Sequence, residues 1–138
     1  ELLAQCRTPA WVSSCCRDGA SLSDGSPVAE AAALFASHPT VFGVGINCTA
    51  PQYVPALVAE LRRAAPDRAV VVYPNSGETW SADGNRWSGA AQGSGFADAA
   101  ADWFDAGATH IGGCCRVGPR KIAELRARWP FGAERPAS

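Results

Sequence analysis

Near the C-terminal end of the chain, Thr109-His110-Ile111-Gly112-Gly113-Cys114-Cys115-Arg116 runs from a short apolar approach into two glycines and two adjacent cysteines. Val117, Gly118 and Pro119 follow, and Pro119-Arg120-Lys121-Ile122-Ala123-Glu124-Leu125-Arg126 reads as the first turns of an amphipathic helix. Proline suits the first helical position, where the missing N–H costs nothing. Cys114 and Cys115 are therefore expected at the C-terminal end of a strand, on a loop feeding a helix. In parallel α/β folds that is where ligands are handled.

Working outward, the same strand-then-helix grammar recurs. Ala10-Trp11-Val12-Ser13-Ser14-Cys15 reads as a strand closed by Asp18-Gly19, and Pro27 opens a helix through Val28, Ala31, Ala32, Leu34 and Phe35, stopped by Pro39. Thr40 to Cys48 is apolar on both faces, as buried parallel strands are. After Pro51, residues Tyr53, Leu57, Val58 and Leu61 give a helical stripe. A third strand, Ala69 to Tyr73, ends in Pro74-Asn75-Ser76-Gly77. The stretch from Glu78 to about Gly95 reads as a long loop holding Trp80 and Trp87, a length that marks function more often than idle linker. A helix from Phe96 to Ala106, closed by Gly107, leads to the fourth strand, and the last helix runs to about Trp129. Glu1 to Cys6 reads as the tail of a helix, and 131–138 as a frayed tail.

Four strand–helix units without a hairpin signal imply an α/β fold with a parallel sheet and right-handed crossovers. Four units are half of a (β/α)₈ TIM barrel, whose length is about 250 residues. A flavodoxin-like open sheet is the competing fold, but no glycine-rich phosphate turn follows the first strand. The 138 residues form one domain. A net charge of −1 with no basic stripe argues against nucleic acid, and the apolar runs are too short to span a bilayer. With no export signal visible, the expected compartment is the cytoplasm. There, six cysteines including two vicinal pairs, Cys15-Cys16 and Cys114-Cys115, point to metal rather than to disulfides. The absent initiating Met leaves the chain expected to be a piece of a longer protein.

If the strands are parallel, Cys48, Cys114 and Cys115 emerge at one end of the sheet. Three thiolates meeting at a point suit Zn²⁺ with its fourth position open, the pattern of a catalytic site, whereas a structural zinc would want a fourth Cys or His. Asn47 and Asn75, beside those strand ends, are candidates for orienting substrate, with turn chemistry as the alternative. Trp80 and Trp87 can offer ring faces to a cation, or simply pack the loop. His110 reads as a strand residue, Cys6 as a packing residue, and Arg17-Asp18-Gly19 as a turn with an internal ion pair. Cys15 and Cys16 belong at the mouth of a neighbouring strand.

The motifs Gly43-Val44-Gly45-Ile46-Asn47-Cys48, Val71-Val72-Tyr73-Pro74-Asn75-Ser76-Gly77-Glu78 and Ile111-Gly112-Gly113-Cys114-Cys115-Arg116 resemble, in order, those of the zinc-dependent homocysteine S-methyltransferases. Cys15-Arg17-Asp18-Gly19 with Leu22-Ser23-Asp24-Gly25 is similar to the same family, and the Pro-Asn-Ser-Gly-Glu and Leu-Ser-Asp-Gly pieces resemble its branch using S-methylmethionine or S-adenosylmethionine. The resemblance implies the C-terminal half of a (β/α)₈ barrel, strands five to eight, with Cys48, Cys114 and Cys115 as zinc ligands. It implies a methyltransferase whose zinc-activated homocysteine thiolate takes a methyl group from a sulfonium donor to give methionine. The family's first-strand Asp-Gly loop and fourth-strand Glu have no counterpart here, so the chain alone is expected to be incomplete for activity. Two other readings compete: a non-catalytic zinc-binding protein, and a half barrel that associates with a second copy or with a missing N-terminal half through its bare edges and inner face.

Overall fold

In chain order the elements are α1 (Leu2–Gln5), β1 (Ala10–Ser14), α2 (Val28–Ala36), β2 (Val41–Asn47), a 3₁₀ turn (Pro51–Tyr53), α3 (Val54–Ala64), β3 (Ala69–Tyr73), β4 (Thr79–Ser81), β5 (Arg86–Ser88), α4 (Phe96–Asp105), β6 (His110–Ile111) and α5 (Pro119–Arg128). The structure is a computed structural model and describes residues 2–5, 7–89, 91 and 95–129. Cys6 and the tail 131–138 lie outside the described residues.

The β-branched runs pair as one parallel sheet in the order β1-β2-β3-β6. Because side chains alternate across a strand, the register assigns each residue to a face. Val44, Ile46, Val70 and Val72 lie on the face covered by helices and are essentially inaccessible. They join one core with Val28 and Ala32 of α2, the Val54-Leu57-Val58-Leu61 stripe of α3, Phe96, Ala100 and Trp103 of α4, and Leu125 of α5. The α3 positions recur at three and four residues, which is why that helix forms and which face it buries. Trp103 and Phe96 meet edge-on with ring centroids 5.2 Å apart, each burying a side chain worth about 2–3 kcal/mol.

The end of α4 meets the expectation placed on Gly107. With φ 113° it accepts the left-handed conformation cheaply, and its N–H bonds Phe104 O while Ala108 N–H bonds Trp103 O. That pair of bonds is a Schellman motif, and it turns the chain into β6.

The opposite sheet face carries Trp11, Ser13, Gly43, Gly45, Val71, Tyr73 and His110. Here Trp11 remains 50% exposed and Phe42 39%. Phe42 sits beside a register shift between Ala10 and Trp11, and its ring lies 6.0 Å from Trp11 and 6.3 Å from His110. Towards the C-terminal end, the Tyr73 hydroxyl pairs with Ser13 Oγ and accepts from Trp11 Nε1 at 3.5 Å.

One expectation is corrected. The long loop after Glu78 contains a hairpin, β4 antiparallel to β5, with Trp80 directly opposite Trp87 and ring centroids 5.4 Å apart. Three-residue strands are too short to print a legible alternation, and the hairpin is held by the cross-strand tryptophan pair and the turn containing Asp83-Gly84. The ion pair expected between Arg17 and Asp18 is present at 3.3 Å. Asp18 Oδ1 also accepts from the Ala20 and Ser21 N–H groups, and these backbone bonds hold its carboxyl below the usual range.

A Cβ at Gly45 would lie 2.1 Å from the carbonyl oxygen of Val71, which is rigid backbone. Gly45→Ala should therefore destabilise the chain by about 3 kcal/mol, read as a lowered denaturant midpoint. Burial pushes the Cys16 thiol up to about 11, so at pH 8 only about one molecule in a thousand carries its thiolate. Mass spectrometry after iodoacetamide treatment at pH 8 should find exposed Cys15 modified and Cys16 protected until the protein unfolds. Since the folded thiol holds its proton more tightly than the unfolded one, this group's contribution to stability is complete below about pH 8.5 and is lost as pH rises towards 11.

Candidate metal centre

Cys48 leaves the tip of β2 with φ 46°, a left-handed conformation that costs a non-glycine residue about 1–2 kcal/mol. Cys114 and Cys115 follow the tip of β6. There Val117 N–H bonds Cys114 O at 3.1 Å, closing a four-residue turn whose third residue, Arg116, has φ 62°. That position is usually glycine. Gly112 and Gly113 precede the turn without positive φ; the role of Gly113 is clearance, because a Cβ there would strike Val117 at 2.1 Å.

Between the two cysteine loops lies the extension of β3, Pro74 to Glu78, which bonds to both. On one side Cys48 N–H donates to Tyr73 O at 3.1 Å, Asn75 N–H to Thr49 O at 3.1 Å, and the Asn75 side-chain amide to Cys48 O at 3.2 Å. On the other, Cys114 N–H donates to Pro74 O at 2.9 Å and Ser76 N–H to Cys115 O at 3.1 Å. Asn75 Oδ1 accepts from Gly77 N–H at 2.9 Å, and Gly77 takes φ 94°, a turn that suits glycine. Glu78 then receives a bond from Ser76 Oγ at 2.7 Å and an ion pair from Arg116 Nε at 2.5 Å. The Arg116 guanidinium, and after it the Ser76 hydroxyl, hold the Glu78 carboxyl below the usual range.

These bonds bring the Cys48, Cys114 and Cys115 sulfurs within 4.8 Å of one another. Among the described residues this is the one such cluster of potential metal donors. Cys48 and Cys114 share a disulfide, with Cα atoms 5.4 Å apart, where the sequence reading expects two thiolates. That separation lies within the range a disulfide needs, so the same juxtaposition that suits a metal also suits the bond. Cys115 is free, 3.4 Å from the Cys48 sulfur and 3.9 Å from that of Cys114. Tetrahedral zinc with Zn–S near 2.3 Å asks for sulfurs about 3.8 Å apart. The Cys114–Cys115 distance of 3.9 Å is close to this, and the Cys48–Cys115 distance of 3.4 Å is somewhat shorter. A metal would need both Cys48 and Cys114 as thiolates, which requires an external thiol or other two-electron reductant to cleave their S–S bond, so disulfide and metal are mutually exclusive on this pair. The donor set fits.

The remaining candidates are placed as follows. The Asn47 amide nitrogen donates to Cys15 Sγ at 3.1 Å, setting a fourth sulfur at the neighbouring strand tip. Cys16 is buried, its N–H bonded to Thr49 Oγ1 at 2.9 Å. Trp80 and Trp87 meet with their rings tilted by 55° in the hairpin that begins one residue after Glu78, and Trp80 is half exposed. His110 Nδ1 pairs with Thr109 Oγ1 at 2.9 Å, at the base of the sheet away from the sulfurs. Sequence reading missed Glu78 and Ser76 as parts of the site: nothing in their local pattern names a partner 38 residues away.

A family model described as homocysteine S-methyltransferase matches residues 1–129. The chain is 40% identical over 120 residues to homocysteine S-methyltransferase YbgG of Bacillus subtilis, covering 87% of this chain and 38% of that protein. It is 42% identical over 131 residues to homocysteine S-methyltransferase of Escherichia coli, covering 92% and 41%. Crystal structures of the homocysteine methyltransferase MmuM from Escherichia coli, 39% identical, superimpose over 93% of this chain and under two fifths of theirs. The TM-score is 0.73 for the metallated form and 0.74 for the oxidised form. The chain thus spans about two fifths of the length of the relatives it matches. A match over nearly every residue, carried through both cysteine loops, places the chain in the homocysteine S-methyltransferase family.

Proposed function

We propose that this chain is the zinc-binding portion of an enzyme that methylates homocysteine, with Cys48, Cys114 and Cys115 as the metal ligands. The observation that carries this reading is the meeting of three sulfurs from two loops, with no fourth Cys, His, Asp or Glu among the described residues to close the set. Three protein ligands and an open position are what a catalytic zinc requires. A zinc ion there would supply Lewis acidity, holding a homocysteine thiol as its thiolate at a pH where a free thiol, with pKa near 8.5, is mostly protonated.

The reaction balances simply. The homocysteine thiolate attacks the methyl carbon of a sulfonium, S-methylmethionine or S-adenosylmethionine. A new S–CH₃ bond forms and the C–S⁺ bond breaks. The electron pair of the broken bond stays on the donor, leaving a neutral thioether and methionine. Asn47 stands beside the strand tips to orient the amino-acid portion, and Asn75 fixes the Cys48 loop from beneath. Trp80 and Trp87 present ring faces on a hairpin rooted in the site, and cation–π attraction to a sulfonium is worth about 0.5–2 kcal/mol.

The sheet is read as strands five to eight of a (β/α)₈ barrel. Its parallel strands in sequential order, its helices on one face and the two-fifths coverage of relatives support this. The open face bearing Trp11, Phe42 and His110 is then the barrel interior, covered by the preceding strands or, in a separate fragment, by a second copy. The need for reduced thiolates fits the cytoplasm.

The test is substitution in the intact protein under reducing conditions. Cys48→Ala, Cys114→Ala and Cys115→Ala should each remove zinc, measured by elemental analysis, and methionine formation from homocysteine and either sulfonium. The loss should exceed the 10–100-fold typical of a metal site's outer partners. Cys15→Ala should keep its zinc. Turnover surviving in any of the first three variants would refute the assignment.

A further inference from the structure

We propose that Glu78 and Arg116 form a clamp that sets the position of the Cys115 sulfur, making both of them positioning residues for the three-cysteine centre. The inference rests on the metal reading above and deepens it.

Three observations converge. Arg116 occupies a left-handed position, φ 62°, in the turn that aims Cys115, where glycine would sit without strain. An arginine stands there at a backbone conformation glycine would accept more cheaply, and its side chain makes a contact glycine could not. Its Nε reaches Glu78 at 2.5 Å, and the Glu78 side chain is only 10% exposed while that of Arg116 is 51% exposed. The carboxylate is thus the enclosed partner of the pair and the guanidinium the exposed one. Glu78 is itself held: Ser76, fully buried, donates its hydroxyl to the same Oε2 at 2.7 Å, and Ser76 N–H bonds the carbonyl of Cys115 at 3.1 Å. The closed circuit Cys115–Ser76–Glu78–Arg116 fixes Cys115 at its carbonyl and Arg116 through its ion pair.

Such a circuit constrains the one cysteine of the three that takes no part in the disulfide. It also stands at the root of the tryptophan hairpin, since Thr79, the first residue of β4, follows Glu78 directly. Removing the clamp frees the turn to rotate, so Cys115 should leave the position from which its sulfur stands 3.4 Å from that of Cys48.

The experiment uses cobalt(II) as the probe in the reduced, intact protein, reading the sulfur-to-cobalt charge-transfer band and the affinity by chelator competition. Arg116→Gly deletes the guanidinium while relieving the backbone, and Glu78→Gln removes the charge at nearly constant shape. Each should weaken cobalt binding about 10–100-fold and reduce the band, with the thermal midpoint of Arg116→Gly no lower than wild type. The double variant should lose no more than the worse single one, as expected when two residues act through one contact. Wild-type affinity and band in both single variants would overturn the clamp, and so would additive losses in the double variant. A wild-type protein that develops no sulfur-to-cobalt band overturns the three-cysteine centre itself, which separates the two failures.

Discussion

The site depends on hydrogen bonds made by a segment that carries no sulfur. Pro74 to Glu78 continues β3 past the edge of the sheet and bonds to the β2 loop on one side and the β6 loop on the other. Parallel strands end at one level, but loops leaving them diverge unless something ties them. Here the Pro74 carbonyl, the Ser76 N–H and the Asn75 amide do so, bringing Cys48 and Cys114 from 66 residues apart to a Cα separation of 5.4 Å. The two left-handed residues, Cys48 and Arg116, flank this segment, and the strain they carry is set against the bonds it makes.

Much of this was legible in the sequence, for a reason that can be stated. Buried parallel strands must be apolar and helices must show a 3.6-residue stripe, so β2, β3, α3 and α4 are written in their own residues. The common end of the cysteine loops follows from strand–helix alternation, which implies parallel strands. The cysteine trio was legible because its chemistry restricts residue type: few roles other than metal binding or redox use adjacent thiols after paired glycines.

What was not legible depends on pairing. The β4–β5 hairpin is too short to carry a pattern, and its stability comes from Trp80 meeting Trp87 across the strands. The disulfide between Cys48 and Cys114 is a choice among sulfurs that all stand within reach, and spacing cannot rank them. Glu78 reads locally as the first residue of a loop. Its partner is fixed only when the β6 turn is folded against the β3 extension. Asn75 likewise looks like a turn residue or a substrate ligand in the sequence; in the fold its amide donates to Cys48 O and accepts from Gly77 N–H, partners no local pattern names.

The Cys48–Cys114 disulfide uses two of the three sulfurs that could hold a metal. X-ray absorption at the zinc edge, on the intact protein after reduction and zinc loading, addresses the central claim most directly. The account predicts three sulfurs at about 2.3 Å with one lighter atom, the latter replaced by a fourth sulfur when homocysteine is added. A zinc shell poor in sulfur, or one that homocysteine leaves unchanged, would contradict it.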